Sequence, residues 1–231
     1  MKLVVEDFSK SYGDHVVFEN VNIEFEEGKI YGLLGRNGSG KTTFFNCLDA
    51  LVKYEKGNFY IVEDDGTKVS LDSGNLGFVF TEPMLPSFLT GREFIRTYME
   101  INNIDEVDKI DDYFKMIYLA QEDADKLIND YSAGMKNKIQ LLLILISKPR
   151  IILLDEPLST FDVIVAADVK QMLKNLKEGH ILVFSTHILE LAKSICDEIV
   201  IINNHQIEKV DSSILESEEF EKNIVELLRN E

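Results

Sequence analysis

Eight consecutive residues carry the clearest chemistry in this chain. Gly35, Arg36, Asn37, Gly38, Ser39, Gly40, Lys41 and Thr42 fit the spacing G-x-x-x-x-G-K-[S/T]. The glycines let the backbone curl so that successive N–H groups converge on phosphate oxygens. A helix starting near Lys41 would add its positive N-terminal end. The Lys41 ammonium can reach the β- and γ-phosphates of a nucleotide, and the Thr42 hydroxyl can ligate Mg²⁺. A strand at 29–34 precedes the loop and a helical pattern from 41 to about 52 follows it. This is the strand–loop–helix context in which the motif works. A ligand-free glycine turn would require neither the Lys-Thr pair nor that context.

Two other apolar strands end in polar residues. Residues 151–154 lead into Asp155-Glu156-Pro157, and residues 181–184 into Ser185-Thr186-His187. Ligands on open parallel sheets bind outside the carboxyl ends of the strands. Asp155 would hold Mg²⁺ directly or through water, and Glu156 would accept a proton from the attacking water. His187 would contact the γ-phosphate or orient that water. Taken singly, Asp-Glu-Pro is an ordinary turn and a histidine at a helix start an ordinary cap. Together with the loop they supply one face three times. Residues 131–135, Tyr-Ser-Ala-Gly-Met, admit two readings. They are a small-residue turn opening a buried helix, or Ser132 and Gly134 hold a phosphate. Ser132 suits an N-cap, which leaves backbone N–H groups at the positive helix end for an anion.

The elements that must position these groups are legible as alternation. The last third reads helix 132–147, strand 150–154, helix 162–178, strand 180–184, helix 187–195 and strand 198–202. Continuous apolar strands alternating with helices imply a parallel sheet covered on both faces. The first third reads as strands at 3–5, 16–18 and 21–25 with a turn at Gly13-Asp14, then a pair at 57–62 and 68–71. A short strand at 76–80 ends in Thr81-Glu82-Pro83. From Thr90, an N-cap with Glu93 three residues on, the pattern is helical to about 128. Phe94, Ile95, Tyr98, Met99, Tyr113, Phe114, Ile117 and Tyr118 fall on helical spacing and read as core. From residue 212 the chain is acidic and then amphipathic, a solvated terminal helix.

A chain of 231 residues with 24 basic and 41 acidic side chains has a net charge of −17. That field repels nucleic acid and anionic lipid, so neither is a general partner. Cys47 and Cys196 show no metal-ligand spacing and read as reduced thiols packed like small apolar residues. The longest apolar run, 139–146, is interrupted by Gln140 and falls well short of the roughly 18 residues that cross a bilayer. The N-terminal stretch has no apolar segment of signal-peptide length.

In this order the residues resemble the nucleotide-binding subunits of ABC transporters over nearly the whole chain. Tyr12 looks like the family's adenine-stacking aromatic. Gly35 to Thr43 matches the Walker A loop, with Thr43 its last residue, and residues 151–156 match the Walker B strand with its catalytic Glu156. Leu158-Ser159-Thr160-Phe161-Asp162 is similar to the D-loop, and His187 corresponds to the switch histidine. Tyr131 to Met135 aligns with the signature, usually LSGGQ. The resemblance implies an α/β P-loop NTPase: a parallel core sheet, an N-terminal antiparallel β subdomain and an inserted α-helical subdomain. One domain would span 1–231, with a nucleotide-binding core at 1–81 and 150–211, a helical subdomain at 82–149 and a C-terminal helix at 212–231.

It further implies ATP and Mg²⁺ as cofactors, and Lys41, Glu156 and His187 as the residues of hydrolysis. The partners would be an integral membrane permease subunit and a second ATPase subunit, placing the chain on the inner face of the cell membrane. Two subunits would sandwich two ATPs, each between one chain's Walker A loop and the other's Ser132 and Gly134. Two positions depart from the pattern. Thr81 stands where the family has a glutamine; its hydroxyl can ligate Mg²⁺, with a shorter reach, and Glu82 is a weak substitute. Ala133 and Met135 replace Gly and Gln, a variant resembling ATPases of ABC-2-type exporters of drugs, antibiotics and peptides, which favours export. An importer subunit is the nearest rival. Soluble relatives of repair or translation type fit less well, for want of a coiled-coil insertion or a second domain.

Overall fold

The first element is a long hairpin. In the computed structural model, which describes residues 1–72, 74–158, 161 and 163–229, β1 (Lys2–Tyr12) pairs antiparallel with β2 (His15–Glu26) across Gly13. The expected break between residues 18 and 21 does not occur. Instead the strands carry register shifts, with Asp7 (φ 50°) and Asn20 (φ 49°) in the left-handed region. Asp and Asn tolerate that conformation better than other non-glycine residues. Here side chains anchor it: Asp7 N–H donates to Asn22 Oδ1 and Asn20 N–H to Ser9 Oγ, both at 2.9 Å. β4 (Lys56–Val62) and β5 (Lys68–Ser70) complete an antiparallel sheet in the order β2-β1-β4-β5. Gly57 (φ 109°) lies where a Cβ would fall 2.6 Å from Phe8 Cα, so only glycine fits that crossing.

The second sheet has six strands. It comprises β3 (Lys29–Leu34), β6 (Leu76–Val79), β7 (Ile151–Asp155), β8 (Ile181–Ser185), β9 (Glu198–Asn203) and β10 (Gln206–Val210). Their order is β10-β9-β3-β8-β7-β6, and β9, β3, β8 and β7 run parallel. Every residue of β7 and β8 is buried, which is why both read as apolar runs up to their polar last residue. Period-2 alternation divides the two faces. Leu33, Val200 and Ile202 face a core with α1 (Lys41–Leu48), while Leu34, Ile199 and Ile201 face α7 (Leu189–Ile195) and α8 (Phe220–Arg229). Phe8, Phe18, Phe44, Phe59 and Tyr54 form a ring cluster in the first core, with centroids 4.9 to 6.1 Å apart in the contacting pairs.

The chain divides into two compact units. One comprises Met1–Phe78, Pro149–Glu156 and Met172–Glu231; the other Val79–Lys148 and Pro157–Gln171. The second unit is helical: α2 (Gly91–Ile101), α3 (Ile110–Met116), α4 (Gln121–Ala124) and α5 (Ala133–Ser147), with part of α6 (Val163–Leu176). Thr90 and Glu93 form a complete capping box at α2. The helical pattern read as continuous to 128 is broken at Asn103 (φ 55°) and Tyr118 (φ 52°). Ile95, Met99, Phe114, Ile128, Ile139 and Leu142 make this unit's own core.

Candidate functional site

The loop between β3 and α1 takes its shape from two left-handed glycines. Gly38 has φ 82° and Gly40 φ 108°. A Cβ on Gly40 would meet Val17 Cγ1 at 2.7 Å and Phe18 Cζ at 2.8 Å, so that position combines strain with contact and excludes any side chain. A Cβ on Gly35 would run into the Ser39 hydroxyl. Ser39 Oγ is itself buried with no hydrogen-bond partner, a polar atom awaiting a ligand acceptor or donor. Lys41 Nζ donates to the carbonyls of Gly35 at 2.8 Å and Arg36 at 3.3 Å. Burial lowers the Lys41 pKa from its ordinary 10.5, and the carboxylates of Glu156 and Asp155 partly restore it. Arg36 and Asn37 are exposed on the loop, and Thr43 is the third residue of α1.

The parallel register of β7 and β8 sets Asp155 beside Ser185. Asp155, 4% exposed, accepts from Thr42 Oγ1 at 2.7 Å on one carboxylate oxygen and from Ser185 Oγ at 2.5 Å on the other. The next residue, Glu156, takes φ 51°, and its N–H donates to the same Ser185 Oγ at 3.1 Å. Its Oε1 lies 2.9 Å from His187 Nδ1, the histidine side chain being 61% exposed and the glutamate's 18%. Lys41, Thr42, Asp155, Glu156 and His187 therefore gather at the carboxyl ends of three adjacent strands within one unit. The donor set fits the implied ligands. A hydroxyl and a carboxylate are hard oxygen ligands suited to Mg²⁺, and the glycine-shaped loop with its orphaned hydroxyl and ammonium suits a polyphosphate.

On the other side of the loop a cavity of about 310 Å³ is lined by Val17, Arg36, Ser39, Asn204 and His205 among others, and by none of the five residues of that cluster. Tyr12, half exposed, carries the Lys10 ammonium 4.4 Å above its ring. One face of the expected stacking aromatic thus already meets a cation. Lys10 itself is buried and donates to Glu55 at 3.3 Å.

The second unit holds Ser132, Gly134 and Thr81. Ser132 Oγ accepts from Met135 N–H at 3.2 Å, making Ser132 the N-cap of α5. Ala133 is the first helical residue, with no left-handed backbone. Thr81 and Glu82 are exposed. The residue before them is clamped: Phe80 N–H donates to Gln140 Oε1, and Gln140 Nε2 donates to Phe80 O, both at 3.0 Å. Gln140 also donates to Asn137 Oδ1 at 3.1 Å. Of the D-loop positions, Ser159, Thr160 and Asp162 lie outside the described residues.

Sequence reading missed two of these side chains. Ser185 was visible only as the polar end of a strand, and its place opposite Asp155 comes from register. Gln140 was visible as the one polar residue in an apolar run. Its partner, a backbone amide 60 residues away, carries no sequence signal.

Fold and site together define a nucleotide-binding protein of the strand–loop–helix type. The sequence profile of the ABC transporter family matches residues 18–159, and the chain belongs to that family as an ATP-binding subunit. The chain is an ATP-binding ATPase with the ABC ATPase fold, and ATPase subunits of this family work with membrane permeases. It is 31% identical, over 92% of both chains, to the probable sulfate/thiosulfate import ATP-binding protein CysA of Chlorella vulgaris. An uncharacterized ABC transporter ATP-binding protein of Bacillus subtilis, YxlF, is 33% identical over 89% of this chain and 69% of its own length. An ATP-binding cassette solved as a dimer in a post-hydrolysis state bound to ADP and Pi superposes with a TM-score of 0.77 at 26% identity, covering 90% of this chain and 99% of that one.

The expectation of export is corrected by this likeness, because the relative whose name states a direction is an import protein. Ala133 and Met135 enter the α5 cap only through backbone, Met135 by its N–H. The cap is therefore made whichever side chains stand at 133 and 135, and the two departures do not by themselves argue for export. Among the described residues no helix is long and apolar enough to cross a membrane.

Proposed function

We propose that this chain powers an ABC importer, hydrolysing ATP at the β3, β7 and β8 strand ends while a separate membrane subunit carries the solute. The observation that carries the hydrolytic part is the pairing of Glu156 with His187 beside Asp155, Thr42 and Lys41. In this reading Gly38, Ser39, Gly40, Lys41, Thr42 and Thr43 bind the phosphates, Gly35, Arg36 and Asn37 complete the loop, and Tyr12 stacks on the base. Thr42 and Asp155 would hold Mg²⁺, which would supply charge neutralisation at the phosphates. Thr81 is a further candidate ligand.

Glu156 accepts the proton of the attacking water, and His187 orients Glu156 through Nδ1 while its other nitrogen turns towards the γ-phosphate. Lys41 exchanges its bonds to the Gly35 and Arg36 carbonyls for phosphate oxygens. Ser132 and Gly134, at the start of α5, receive the ATP of a second ATPase subunit in a head-to-tail pair. One ABC ATPase domain spanning 1–231 performs these steps on the inner face of the membrane, with no nucleic acid involved.

The importer reading rests on the likeness to CysA over the length of both chains. It is tested by reconstituting the chain with the membrane subunit that co-purifies with it, in vesicles of known orientation. ATP hydrolysis and solute movement should respond to solute on the face opposite the ATPase. Stimulation only by solute on the ATPase side would overturn import. Isotopically labelled solute accumulating on the nucleotide side supplies the direct measure.

A further inference from the structure

We propose that Ser185 is a positioning residue for hydrolysis, aligning Asp155 and Glu156 through one hydroxyl. The inference rests on the reading of Glu156 as the general base. Chemistry fixes the direction of each bond. A backbone N–H only donates and an ionised carboxylate only accepts. The Ser185 hydroxyl must therefore accept from Glu156 N–H at 3.1 Å and give its single proton to Asp155 Oδ1 at 2.5 Å. The order Glu156 N–H to Ser185 O–H to Asp155 is a directed chain, in which each bond polarises the next. Ser185 is completely buried, and its strand neighbours fix it in register with Asp155 on one side and Leu33 on the other.

Two consequences follow for the site. Asp155 has one carboxylate oxygen held by Ser185 and the other by Thr42, so its plane cannot rotate freely. Glu156 sits at φ 51°, a conformation that a β-carbon opposes and that surrounding bonds must hold. The bond from its N–H to Ser185 is such a restraint, and it acts on the peptide that aims the Glu156 carboxylate towards His187. An apolar residue at 185 would satisfy the strand equally well and lose both bonds.

The test uses the full-length chain with three substitutions, Ser185→Ala, Ser185→Thr and Ser185→Val, and Glu156→Gln as a control. Turnover, equilibrium ATP binding and the thermal midpoint of the nucleotide-free protein are measured for each. Thr and Val are nearly isosteric, so any packing penalty is shared and only the hydroxyl differs. The expected result is a fall in kcat for Ala and Val of about 30-fold, with ATP affinity within about threefold of wild type. Ser185→Thr should recover most of the loss relative to Ser185→Val. Equal kcat for Thr and Val, or a fall of less than threefold for Ala, overturns the proposal. So does loss of ATP binding in proportion to kcat, which would mark a merely structural role. Should Thr and Val both fail to fold, the kcat-against-affinity split of Ala decides alone. Turnover at the wild-type rate in Glu156→Gln would refute the general-base reading, whatever the Ser185 variants do.

Discussion

Two side chains of the phosphate site make separable demands on chemistry. Lys41 supplies charge from a half-buried position, so Lys41→Ala should abolish measurable ATP binding in equilibrium titration; unchanged affinity would undo the loop reading. Its lowered pKa sets a pH limit as well. Burial favours the neutral amine, so the ammonium is lost, and nucleotide affinity with it, as pH rises through a value below the ordinary 10.5. Lys41→Arg, always protonated, should remove that alkaline fall from the binding curve. Glu156 acts later: Glu156→Gln should bind ATP normally and lower kcat by at least about 100-fold. These roles were legible because Lys41 closes the glycine-loop motif and Glu156, with Asp155, closes the aliphatic run 151–154. Ser185 was not, because serine at a strand end looks like any turn residue until register sets it opposite Asp155.

Secondary-structure elements repeat the lesson with different causes. β7 and β8 could be read directly, since both faces are buried and every position is apolar until the functional end. β2 could not, because its continuity through Asn20 depends on a left-handed residue held by Ser9 from the neighbouring strand. Helix ends were half legible. The Thr90 capping box announced itself by spacing, and Thr90→Ala should lower stability by about 1 kcal/mol in denaturant unfolding. Nothing at Tyr118 announced the left-handed residue that ends α3. Ser132 joins both themes: it caps α5 and is offered to another subunit's nucleotide. A Ser132→Arg chain mixed with wild type should therefore impair hydrolysis at the wild-type partner's own Walker A loop. Equal turnover in such hybrids would count against the head-to-tail pair.

At the scale of the molecule, charge and backbone strain both oppose something the function requires. Each chain carries −17, so the proposed pair must form against repulsion that bound ATP increases. Salt shortens the range of that repulsion, from a Debye length of about 10 Å at 0.1 M to about 3 Å at 1 M. ATP-dependent dimerisation of Glu156→Gln should accordingly strengthen with added NaCl in sedimentation velocity. Weakening would mean that local attractive pairs outweigh the global field.

The left-handed Glu156 has a consequence for how this protein can change over generations. Glycine at 156 would adopt φ 51° without the cost of a β-carbon, which is about 1 kcal/mol. Any selection for thermal endurance alone should therefore enrich substitutions at the one residue hydrolysis is proposed to need most. This chain carries the less comfortable amino acid there, so endurance and turnover make opposite demands on one residue.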